Sequence, residues 1–244
     1  MSITDRLQCG IPRDWINDFS QCLFEWQTLV GGILAILAAV IGTLLLHSQI
    51  RQSERHETER RGRKFLAARA TLPLALSEIT GFSRTMIVEL ISLHNQLTHP
   101  SSMAPVFEPP TIPNGLIAAL QAFIEATFDT ALVDCVCELI NEIQVLVART
   151  ESLQREEQLL GVTQNIEEYV VQSARLHVIA GSLFPFSRGR ESSIPSTVPW
   201  SDAYSYLSMQ HDLYESDFPG VFAILERRSN AWESIWPRVR RSSQ

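Results

Sequence analysis

From Thr28 to Leu46 the chain reads TLVGGILAILAAVIGTLLL, nineteen positions without a charge. At about 1.5 Å of rise per helical residue they span roughly 28 Å, close to the ~30 Å hydrocarbon core of a bilayer. Residues 28–46 are therefore expected to form one transmembrane helix; no other stretch meets that criterion. Ahead of it, Trp15, Ile16, Phe19, Cys22, Leu23 and Trp26 recur at one-, three- and four-residue steps, with Asp14, Asp18 and Glu25 off the stripe. This pattern predicts an amphipathic helix lying in the headgroup layer, with Trp15, Phe19 and Trp26 as interface residues.

Behind the span the period lengthens into heptads. Leu72, Leu76, Ile79, Ser83, Met86, Leu90, Leu93 and Leu97 follow 4-3 steps, the seam of a helix packed on other helices. Pro73 interrupts this run and predicts a kink or the start of a new helix. A proline- and serine-rich connection, His99 to Pro113, comes next. Leu116, Leu120, Phe123 and Phe128 then open a second long helix, continued by Leu132, Val136, Leu139, Ile143, Leu146, Thr150 and Leu153. After a break near Gly161, Ile166, Tyr169, Val170, Ser173, Leu176 and Ala180 mark a third. Residues 185–199 read as a mobile loop. Ser201 is expected to cap a short helix through Met209, and Asp217 a last helix carrying Val221, Phe222, Leu225, Trp232, Ile235 and Trp236 up to Pro237.

The expected fold class is thus all-α: a single transmembrane helix followed by a cytoplasmic antiparallel helical bundle with coiled-coil character. Its divisions are a short extracytoplasmic tail (1–27), the transmembrane helix (28–46), a basic juxtamembrane helix (47–71), an acidic helical bundle (72–182), a loop (183–200) and C-terminal helices with a basic tail (201–244).

Charge orients this arrangement. The net −7 of the 244 residues conceals a split: residues 1–27 carry two basic and four acidic side chains, residues 47–71 seven and three, and the remainder eleven and twenty. Seven basic residues on one flank against two on the other predict an outside N-terminus and a cytoplasmic C-terminal part. Arg51, Arg55, Arg60, Arg61, Arg63 and Lys64 are the expected contacts with inner-leaflet phosphates. A cleavable signal peptide fits poorly, because an acidic 27-residue tail precedes the apolar core and Leu46-His47-Ser48 does not resemble a small-residue cleavage site. Nucleic acid is disfavoured as a partner, since the following acidic domain repels a polyanion.

Inside the span, Gly31, Ala35, Ala39 and Thr43 repeat every four residues. Small residues at that spacing let helices approach closely, so this side is the candidate homodimer face. Cys9 and Cys22 fall in the outer tail, where disulfides can form; Cys135 and Cys137 fall inside and are expected to be small core residues, because i and i+2 on a helix point about 200° apart and cannot share an ion.

Recognisable chemistry is scarce. Asp134, Glu138 and Glu142 share a helical face and read as a solvated acidic surface; a carboxylate-bridged metal pair would need Glu-x-x-His, which the chain lacks. His56-Glu57 after the span loosely resembles the phosphoacceptor helix of sensor histidine kinases, but no glycine-rich phosphate motif accompanies it. G-x-S-x-G, H-E-x-x-H and Walker sequences are missing too. The expectation is a non-enzymatic protein without cofactor or metal. Its expected partners are the lipid bilayer, a second copy and an unidentified protein.

FEWQTLVGG, entering the membrane, followed by ERRGRKFLAARATLPLALSEI, resembles a group of uncharacterised proteobacterial single-pass membrane proteins sharing a W-Q-T-L-x-x-G entry and an A-R-A-x-L-P-L-A-L-S-E segment just inside the membrane. The resemblance covers roughly residues 24–80. It implies a bacterial inner-membrane setting and brings no activity and no catalytic residues.

Overall fold

A computed structural model describes residues 15–99, 107–155, 162–231 and 234–235; for 15–25, Thr28, 154 and 155 only the backbone is described. All regular structure among them is helical: α1 (Trp15–Thr98), α2 (Leu116–Ala126), α3 (Thr130–Arg155), α4 (Val162–Ser182), α5 (Phe184–Ser187), α6 (Trp200–His211) and α7 (Pro219–Ala231). The chain divides into two units, Met1–Arg60 and Arg61–Gln244. Among the described residues, α1 is the one helix long and apolar enough to cross a membrane.

In the first unit, the described large apolar side chains of the span are exposed. Leu34, Ile36 and Leu44 are 60%, 65% and 65% exposed, and the other large side chains there are similar. Residues 34, 36 and 44 point to different sides of the helix, so exposure runs around its whole circumference.

The second unit has a continuous core. Seven of the eight positions of the first heptad seam, Leu72 through Leu93, are buried, and Leu97 packs on the core from its edge. Of the two outcomes expected at Pro73, the start of a new helix is not met: α1 runs through it. Proline removes the donor to the Arg69 carbonyl. Burial of Leu72, Leu76 and Ile79 on either side outweighs that loss. α4 is the central element, buried on several sides from Val162 to Ala180 and packed against α3, α5, α6 and α7. Its link to α1 includes a hydrogen bond from the Ser83 hydroxyl to the Ser173 carbonyl, both buried.

The second long helix is in fact two. Thr127–Asp129 breaks it, and the Asp129 carboxylate accepts hydrogen bonds from the Ala131 and Leu132 amides at 2.9 and 3.4 Å, capping α3. Phe128, expected in the seam, lies in this break and is 70% exposed. The connection after Leu183 also differs from expectation. Phe186 and Val198 are buried, and Arg69 donates to the Phe186 carbonyl at 2.6 and 3.0 Å and to that of Glu191 at 2.9 Å. α6 begins at Trp200 with Pro199 in the cap position, so Ser201 is not its cap. α7 ends at Ala231, and Ile235 instead pairs with Val198, its amide donating to the Val198 carbonyl at 2.7 Å. Trp232, Trp236, the basic tail, Cys9, Gly161 and residues 100–106 lie outside the described residues.

Candidate functional site

The span supplies the first candidate. Its one described side-chain hydroxyl, on Thr43, donates to the Ala39 carbonyl at 2.7 Å, leaving no free donor to desolvate in an apolar medium. A Cβ placed on Gly31, Gly32 or Gly42 would meet nothing within 4 Å. The side bearing Gly31, Ala35, Ala39 and Thr43 is therefore open. Trp26, at the start of the span, is 38% exposed. The side chains of Trp15, Phe19 and Cys22 lie outside the described part.

Of the basic residues, Arg51, Arg55, Arg60, Arg61, Arg63 and Lys64 are all exposed. Arg61 belongs to the second unit, where its guanidinium stands 5.5 Å from the ring centroid of Phe128, a cation–π contact. Arg69, counted above in the basic flank, serves the bundle: besides its carbonyl contacts, it stacks 4.4 Å from the Phe186 ring.

The acidic face of α3 is not simply solvated. Arg175 of α4 pairs with Glu142 and, at 3.3 Å, with Glu138. Gln172 donates to Glu142 at 3.0 Å and accepts from Arg149 at 2.9 Å. Arg175 also reaches the Ile235 carbonyl at 3.3 Å. Glu142 retains only 13% side-chain exposure, so this network joins α3, α4 and the C-terminal strap in a partly desolvated setting. The i, i+4 spacing of Glu138 and Glu142 signalled a shared face; the cation that meets it comes from a residue 33 positions away and left no local mark.

A second polar cluster joins α1, α4 and α6. His177 stacks on Tyr206 with centroids 3.7 Å apart and planes at 14°. The Tyr206 hydroxyl and His211 Nε2 are 3.1 Å apart. Burial pushes the His177 pKa down to about 4, and the nearby Arg84 charge adds to this. Burial, with Arg84, lowers His211 in the same direction; burial raises Tyr206 against the opposing influence of Arg84. His177 Nδ1 is buried without a hydrogen-bond partner. The cluster thus favours neutral imidazoles packed as aromatic surfaces. Near the far end of α1, His94 stands 3.6 Å from Glu167 and 5.2 Å from the Phe218 ring, and Glu167 crowds the place a Cβ on Gly220 would occupy.

Cys135 is buried and its thiol is pushed up to about 12 by burial, with smaller contributions from Glu138 and Cys137, which makes it unreactive. Cys137 is exposed, so only one of the pair is a core residue, as their opposite directions on the helix require. Among the described residues no group of three or more His, Cys, Asp and Glu is placed to hold a metal ion.

No protein-family model, curated protein or solved structure matches this chain.

Proposed function

We propose that this chain is a non-enzymatic, single-pass anchor and scaffold of the bacterial inner membrane, which holds a cytoplasmic helical bundle beside the bilayer. The observation that carries the reading is the all-round exposure of the apolar span in a protein whose other unit has a continuous buried core. Exposed apolar surface on this scale costs about 25 cal/mol per Å² in water and nothing comparable in lipid.

The asymmetry of basic flanks supports an outside N-terminus and a cytoplasmic bundle. Each exposed arginine near an anionic leaflet adds about 1 kcal/mol of attraction. An antiparallel bundle is supported by partner order: Arg69, Ser83 and His94 of α1 meet Phe186, Ser173 and Glu167, while Glu138 and Arg149 of α3 meet Arg175 and Gln172. The open Gly31–Thr43 side supports self-association within the membrane.

Alkaline extraction followed by ultracentrifugation tests the anchor. The protein should stay with the membrane pellet, and recovery of the full chain in the supernatant sinks the reading. Alkaline phosphatase fused after Gln244 should be inactive; activity there reverses the orientation.

The continuity of α1 through Pro73 favours a second reading, a transmitter that passes the state of the outer segment inward along one helix. Deletion of residues 1–22 separates the two: a transmitter loses its phenotype, whereas a scaffold keeps it.

A further inference from the structure

α1 carries a second stripe inside the bundle unit that the unit itself does not use. Leu66, Ala70, Leu74, Ser77, Gly81, Thr85, Val88 and Ser92 follow 4-4-3 steps, a period near that of a straight α-helix, and every one is exposed. None is charged. Leu66, Leu74 and Val88 are 64%, 67% and 51% exposed, so the stripe holds large apolar side chains as well as small ones. A Cβ on Gly81 would meet nothing within 4 Å, leaving room at its middle for another backbone. Charges mark its two edges with opposite sign: the exposed Arg84, which also hydrogen-bonds Tyr206 of α6, on one, and the half-buried Glu78 and Glu89 on the other.

We propose that this face pairs with the same face of a second copy, the two α1 helices running parallel. Charge complementarity selects both occupant and direction. In a two-fold parallel pair, one edge of each helix lies along the opposite edge of its mate, so Arg84 of each copy faces the acidic edge of the other, nearest Glu89. In an antiparallel pair like edges meet, placing Arg84 against Arg84 and acid against acid. An identical stripe also matches the uncharged surface without stranding a charge. A single helical stripe on each copy makes a small interface, so the pairing is weak in solution and effective for molecules held close together. The pairing rests on the proposed anchoring for that confinement; two copies inserted the same way share a direction.

Cysteine crosslinking in native membranes tests it, with the four native cysteines replaced. Leu74→Cys and Val88→Cys should each form a homodimeric disulfide under mild oxidation at least tenfold faster than the exposed control Gln144→Cys. Glu89→Arg should slow crosslinking through Leu74→Cys, and adding Arg84→Glu should restore it. Rates equal to the control overturn the proposal. Disulfides that appear only when the Leu74→Cys and Val88→Cys chains are mixed indicate antiparallel pairing and overturn it as well. Alkaline extraction of the same samples keeps the two readings apart. A pelleted protein without crosslinks removes the pairing alone, while a crosslinked protein in the supernatant removes the anchor alone.

Discussion

The apolar residues of α1 from Leu29 to Leu46 and those of α4 are chemically alike, yet the first are exposed all round and the second are buried. The difference lies in what accompanies them. α4 interleaves its apolar residues with Gln172 and Arg175, whose side chains meet Glu142 of α3, and its Ser173 carbonyl accepts from the Ser83 hydroxyl of α1. The described side chains of the span include no such handles, only the Thr43 hydroxyl bonded to its own helix backbone. A helix apolar on every side and without polar partners suits lipid, and a helix apolar with placed polar contacts suits a protein interior.

Mutations that exchange these properties should separate the two regions. The largest effect is expected from Ile143→Ala, which empties a fully buried core site on α3. It should destabilise the bundle by about 2–5 kcal/mol in denaturant titration and leave membrane retention unchanged. Leu37→Arg should do the converse. It places a charge near the centre of the span at a cost of about 3 kcal/mol, lowering the membrane-bound fraction while the bundle keeps its melting temperature. Arg175→Met leaves Glu142 half-buried without its cation; a loss of about 2 kcal/mol is expected, and the double change with Glu142→Leu should recover most of it.

Acid gives a smaller effect confined to the bundle. The folded protein holds His177 near 4, below the ordinary value of 6.5, so the unfolded chain binds the proton first as pH falls. Stability is therefore full above about 6.5 and declines toward pH 4; discounted for partial exposure, about 1 kcal/mol should be lost by pH 5. His177→Phe should flatten that slope, and an unchanged slope would count against the assignment. The smallest effect is expected at Gly220→Ala. The added Cβ displaces only the end of the Glu167 side chain, so a loss under about 1 kcal/mol should appear in the melting temperature.

Most of the helical pattern was legible along the chain because heptad spacing reports directly which side of a helix is buried. The seams at 72–97, 132–153 and 166–180 line the core, with Leu97, Leu153 and Tyr169 at its edge. The break at Thr127–Asp129 carried a local signal, the Asp129 cap, that heptad spacing passes over. The early end of α7 and the pinned segment around Phe186 depend instead on contacts made by residues far away in sequence. Periodicity does not register such contacts. Cys137 was misjudged for another reason: the 200° separation that excludes a shared ion equally excludes a shared core.

Burial by period, charge counted by flank and the length of the apolar run are local sums, and local sums can be read from the order of residues. They were enough for an all-helical chain with one span of bilayer length. The pairing of Arg175 with Glu142, the stacking of His177 on Tyr206 and the service of Arg69 to the Phe186 carbonyl join residues 29 to 117 positions apart. Only folding brings such groups within a few ångströms, where geometry and desolvation decide which charge meets which.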